Sequence, residues 1–115
     1  MLFVEARPFA KRRPALMTDA ELTALKVHLA EYPDAGDAIP SAGGFRKVRW
    51  ANSQRGKGKR SGSRTIYLHV GLADTIHLLA IYDHEQQGDL DAKERKELAG
   101  YAHELKSLAR KERDQ

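Results

Sequence analysis

No cysteine occurs in the chain, which excludes disulfides, thiolate metal sites and cysteine nucleophiles and is compatible with a reducing compartment. Long apolar runs are also missing: none approaches the roughly 20 residues that a membrane-spanning helix needs. The N-terminal stretch MLFVEARPFAKRRP sets its apolar side chains ahead of its charges, the reverse of a secretory signal. The expectation is a cytoplasmic protein with no membrane partner. One absence is local. Between Phe45 and Arg64 there is no Asp or Glu, while eight basic residues stand there: Arg46, Lys47, Arg49, Arg55, Lys57, Lys59, Arg60 and Arg64.

What is present fits one folded unit. At 115 residues, with 41% apolar and 31% charged side chains, the chain supports a single domain over 1–115 with one modest core. The net charge of +4 is a local device, because outside that stretch the chain carries 12 basic and 16 acidic residues. A concentrated cationic segment in an otherwise acidic body reads as a site for a polyanion, nucleic acid first among them. It also reads as a solvated loop whose lysines serve solubility, and charge alone leaves both open.

Patterning predicts the elements. Residues 2–6 form a short strand-like run, followed by the basic stretch Lys11-Arg12-Arg13-Pro14. Thr18 and Glu21 make a capping box with Asp19 in the first turn, and Leu22, Leu25 and Leu29 repeat at helical spacing until Pro33. Phe45–Trp50 alternates, with Phe45, Lys47 and Arg49 on one face and Arg46, Val48 and Trp50 on the other. Residues 51–63 read as a Gly/Ser-rich loop. Arg64–Val70 and Thr75–Tyr82 read as a hairpin across a short turn at Gly71–Asp74. Asp91, with Glu94 three residues on, caps a last helix striped by Leu98, Tyr101, Leu105 and Leu108, which is expected to fray over 110–115. The sum is an α+β domain: a small antiparallel sheet of three to four strands, covered on one face by an N-terminal and a C-terminal helix, with the other face left for function.

The chemistry points to that face. Lys47 and Arg49 project the same way, and Arg64 enters the neighbouring strand after the loop. RNA cleavage by 2′-OH attack needs a base, a clamp on the charged phosphate and an acid for the leaving oxygen. Arg49 and Arg64 can clamp a phosphate bidentately. Lys47 or Lys57, each among like charges, can serve as base. His84 is the only side chain of the set whose unperturbed type can act as acid or base near neutral pH, and Tyr82 offers a ring for stacking. Arg46, Arg55, Lys57, Lys59 and Arg60 are candidate RNA grips. Taken alone, a residue like Tyr82 is more often a packing residue at a sheet end, and one like His84 more often a solvated polar group. Asp83, Glu85, Asp89 and Asp91 resemble a carboxylate cluster, but Asp91 is better used as a helix cap, so no metal is expected. His28, His69, His77 and His103 lie on different elements and none pairs at ligand spacing.

The stretch Ala42-Gly43-Gly44-Phe45-Arg46-Lys47-Val48-Arg49-Trp50 is followed by a Gly/Lys-rich loop, by Gly62-Ser63-Arg64-Thr65-Ile66-Tyr67, by Ile76–Tyr82 and by Asp89-Leu90 before a final helix. In that order these segments resemble the HigB-type branch of the RelE/ParE toxin superfamily, from about residue 2 to about residue 108. The resemblance implies the toxin of a type II toxin–antitoxin pair, a RelE-like, ribosome-dependent and metal-independent endoribonuclease that cuts mRNA. It needs no cofactor and is held in check by a cognate antitoxin. It lays the family's basic strand pair on Lys47 and Arg49 and its strand-opening arginine on Arg64. Where the family usually has lysine or arginine after the last strand, this chain has His84. Two other functions stay open: a ParE-like inhibitor of DNA gyrase, and a nucleic-acid-binding module without catalysis.

Overall fold

A computed structural model describes residues 1–50, 62–83 and 90–114. The elements run β1 (Leu2–Glu5), α1 (Arg7–Leu16), α2 (Asp19–Glu31), β2 (Asp37–Ala38), β3 (Arg46–Trp50), β4 (Ser63–Val70), a 3-10 turn (Gly71–Ala73), β5 (Thr75–Asp83) and α3 (Ala92–Arg113). The α+β class is as expected, and two details are corrected. Among the described residues the sheet has five strands in the order β1-β5-β4-β3-β2, and it is mixed, because β1 runs parallel to β5. The helices cover both faces, not one.

The division of the core shows this. Phe9 and Leu16 of α1 and Leu22, Leu25 and Leu29 of α2 pack with Val48, Tyr67, Ile76, Leu78 and Ile81 on one side of the sheet. Ala102 and Ala109 of α3 pack with Ile66, Leu68, Val70 and Tyr82 on the other. The sequence contains too much apolar surface for one layer: β4 buries both of its faces, a pattern of central strands.

The capping boxes form as the spacing predicts. The Thr18 hydroxyl accepts from the Glu21 N–H at 3.0 Å while the Glu21 carboxylate accepts from the Thr18 N–H at 2.8 Å. Asp91 and Glu94 repeat the arrangement at the start of α3. α3 stays helical to Arg113, beyond the expected fraying point at 110. Where the sequence shows a basic stretch there is a helix, α1. Its prolines fall at Pro8, in the first turn where no N–H partner is needed, and at Pro14, close to the end. It is anchored by fully buried Phe9. Arg13 ties its end to the next helix, donating to the Met17 carbonyl at 3.1 Å and pairing with Asp19 at 2.7 Å.

Two further features set the position of the sheet. Arg46 and Tyr67 are directly opposed on β3 and β4. The Arg46 guanidinium donates to the carbonyls of Ala35 and Gly36, and the Tyr67 hydroxyl donates to those of Pro33 and Ala35. Together they pin the link between α2 and β2. The second feature is a bulge. The β4–β5 register shifts between Ile66 and Tyr67, so that Ile66 faces Ala80 and Tyr67 faces Leu78, with Leu79 extra. Downstream of it, Ile81 takes the α1/α2 side and Tyr82 the α3 side.

Two stability outcomes follow from these contacts. Tyr67→Phe keeps the packing and leaves the Pro33 carbonyl without its donor, and is expected to cost about 1–2 kcal/mol by urea denaturation. His77 on β5 is partly buried, and burial holds its pKa below the usual 6.5. As the pH falls through about 6.5, the unfolded chain takes up this proton before the folded one does, so stability drops. His77→Gln is expected to reduce the fall in urea midpoint between about pH 7.5 and pH 5.5.

Candidate anion-binding site

The register of three strands assembles the site. Arg49 on β3 lies directly opposite Arg64 on β4, and Arg64 lies directly opposite Tyr82 on β5. Paired residues in a sheet project to the same face, here the face that carries α3. The next row inward is Lys47, Ile66 and Ala80 on the same face. The alternation expected for β3 is therefore observed: Val48 and Trp50 join the α1/α2 side, and Lys47 and Arg49 do not.

α3 covers Tyr82 of this row and leaves Arg49 exposed and Arg64 half-buried. Its C-terminal half meets Leu68 and Val70, near the far end of β4. Close approach there depends on Gly43: with φ at +70°, an added Cβ would come within 2.9 Å of the Ala102 side chain. The Lys106 ammonium donates to the Gly43 carbonyl at 2.7 Å. At the other end of β4, Arg49 is exposed and Arg64 is half-buried, donating one N–H to the Gly62 carbonyl at 3.0 Å.

The remaining predicted residues are distributed unevenly. Lys47 is half-buried and lines a groove with Asp37, its direct neighbour in register on β2, and with Leu90 and Arg95. Arg95 was not singled out from the sequence; its one signal is its place in the first turns of α3, immediately after Glu94 of the capping box. Tyr82 is 4% exposed and belongs to the α3-side core, which matches the packing reading and offers little ring surface for stacking. Arg46 projects to the opposite face and is engaged with the Ala35 and Gly36 carbonyls, away from the row. Arg55, Lys57, Lys59, Arg60 and His84 lie outside the described residues, as do Glu85 and Asp89. Among the described residues no group of three or more His, Cys, Asp or Glu is placed to hold a metal ion.

The chemistry open to the row follows from its charge. Two arginines directly opposed on adjacent strands set like charges on one face, at a cost of order 0.2–1 kcal/mol for such a pair. A phosphate between them removes the repulsion and takes paired N–H donors from both. The row thus has the charge to take up an anion such as a phosphate. No protein-family model matches the chain.

Arg49→Ser is expected to raise stability by a few tenths of a kcal/mol at low salt. The gain should shrink as added salt screens the pair, and affinity for a short single-stranded RNA should fall in the same variant. Urea midpoints and fluorescence anisotropy, each at two salt concentrations, measure both effects.

Proposed function

We propose that this protein is an mRNA-cleaving toxin of the RelE kind, acting on the ribosome by metal-independent 2′-OH attack and inhibited by a cognate antitoxin. The observation that carries the reading is the directly opposed pair Arg49–Arg64, with Lys47 one row inward on the same face. A fold that maintains two facing arginines at the open end of a strand pair keeps a repulsion that an anionic substrate relieves. Arg49 and Arg64 hold the scissile phosphate and stabilise the charge it gains as the 2′-oxygen attacks. Lys47, one row inward on the same face, or Lys57 takes the base role, while the acid role falls to His84. Tyr82 supports Arg64 from the neighbouring strand as part of the packed floor. A non-catalytic binder would have no need of convergence, since phosphates docked by scattered cations each contribute a similar small step.

Induced expression is expected to arrest growth, and primer extension on translated message should show breaks in phase with codons. Arg64→Ala should lower break intensity by about 10²-fold or more, the usual loss when one donor to a developing charge is removed. Intact message accompanied by supercoiling defects would replace the reading with gyrase inhibition. Undiminished toxicity of Arg64→Ala would remove Arg64 from the site.

A further inference from the structure

The sheet ends on β1, and that edge is built to take another strand. Leu2 and Ala6 donate their N–H groups to the carbonyls of Asp74 and Leu78, both at 2.9 Å. In a parallel ladder alternate residues direct both backbone polar groups to the same neighbour. Leu2, Val4 and Ala6 are therefore committed to β5, and Phe3 and Glu5 direct their N–H and C=O groups outward. The α3 side of this edge is apolar and open: Leu2 is 62% exposed, Val4 38% and Leu108 54%. Leu2, Val4, Leu105 and Leu108 line one groove there, with His77 on its floor. β1 carries no proline and no lysine to discourage pairing.

We propose that β1 pairs antiparallel with β1 of a second copy of this chain, about a two-fold axis through Val4. The register selects this partner. With Val4 opposite Val4, Phe3 of each chain faces Glu5 of the other, and the outward groups of both residues exchange hydrogen bonds, four in all. Val4 then meets its counterpart in the close, non-hydrogen-bonded position, with the two Leu2 and Leu108 side chains extending the apolar strip on either side. The charges agree on the opposite face. Lys26 already sits 3.1 Å from Glu5 and 5.9 Å from the centroid of the Phe3 ring. Pairing brings Glu5 of the second copy across from Phe3, so each Lys26 lies between two carboxylates. A residue pair that answers itself on both faces and along the backbone is the signature of an isologous contact. The contact is small, so the dimer forms reversibly and at high concentration. It does not depend on the nuclease reading, because the arginine row lies at the opposite side of the sheet, on β3 and β4.

Sedimentation of the full chain from about 10 µM to about 1 mM tests the pairing, since weak contacts of this size dissociate in that range. The expected result is a monomer–dimer equilibrium that Val4→Lys weakens at least tenfold, with the variant's urea midpoint close to that of the parent. Amide exchange gives a second readout: the Phe3 and Glu5 N–H groups should gain protection as concentration rises, while other exposed amides do not. A monomer throughout the range, with Phe3 and Glu5 exchanging freely, would overturn the proposal. So would a dimer that survives Val4→Lys.

Discussion

The constraint on which the rest of this structure depends is that its two central strands are buried from both sides. β4 and β5 lie between the α1/α2 layer and α3, and Tyr67, Leu68, Ile76, Leu78 and Ile81 are essentially withdrawn from solvent. A sheet enclosed in this way cannot display chemistry in the middle of a face. What remains open are the ends of the strands and the edge strands. The Arg49–Arg64 pair occupies one such end, with Arg49 exposed and Arg64 half-buried, and β1 occupies one edge. The fold therefore separates the residues that hold it together from the residues that can meet something else.

Division of labour within β3 follows from the same enclosure. Arg46, Lys47 and Arg49 are near neighbours in sequence with the same charge, yet the two-residue period sends them to different work. Arg46 reaches the Ala35 and Gly36 carbonyls beneath α2 and joins Tyr67 in holding a turn. Tyr67 itself is held above the usual tyrosine pKa by burial, with Arg46 acting in the opposite direction. Arg49 faces the other way and stands opposite Arg64 in register. A charge count over the segment treats these cations as equivalent, and the structure does not.

The helix caps were legible because their signals are local: a side chain and a backbone group three residues apart decide them, as at Thr18 and Asp91. The alternation of β3 was legible for the same reason, and so was the Gly71–Asp74 turn, where Asp74 takes the left-handed conformation. α1 was hidden because its two prolines, lack of a capping side chain and many charges give no helical stripe, and its place is decided by the burial of Phe9 against distant residues. The parallel β1–β5 pairing joins residues some 73 apart (Leu2 with Thr75), and nothing in either segment announces it. The candidate site was legible in part. Lys47, Arg49 and Arg64 could be assigned to one face from periodicity, whereas the burial of Tyr82, the diversion of Arg46 and the presence of Arg95 in the Lys47 groove depend on three-dimensional packing.

The extra residue in β5 has a consequence for how the strand tolerates change in length. Counted strictly by twos from Ile76, Tyr82 would share a side with Leu78; the insertion at Leu79 resets the count, so that Ile81 and not Tyr82 enters the α1/α2 core. The strand carries two reading frames joined at that point. A deletion at Leu79 would remove the bulge, keep Tyr67 opposite Leu78 and Ile66 opposite Ala80, and leave Ile81, Tyr82 and Asp83 on the sides they already take, whereas loss of a residue beyond the bulge would exchange their roles. Substitution there is a change of volume, and loss of the residue straightens the strand without changing what faces what.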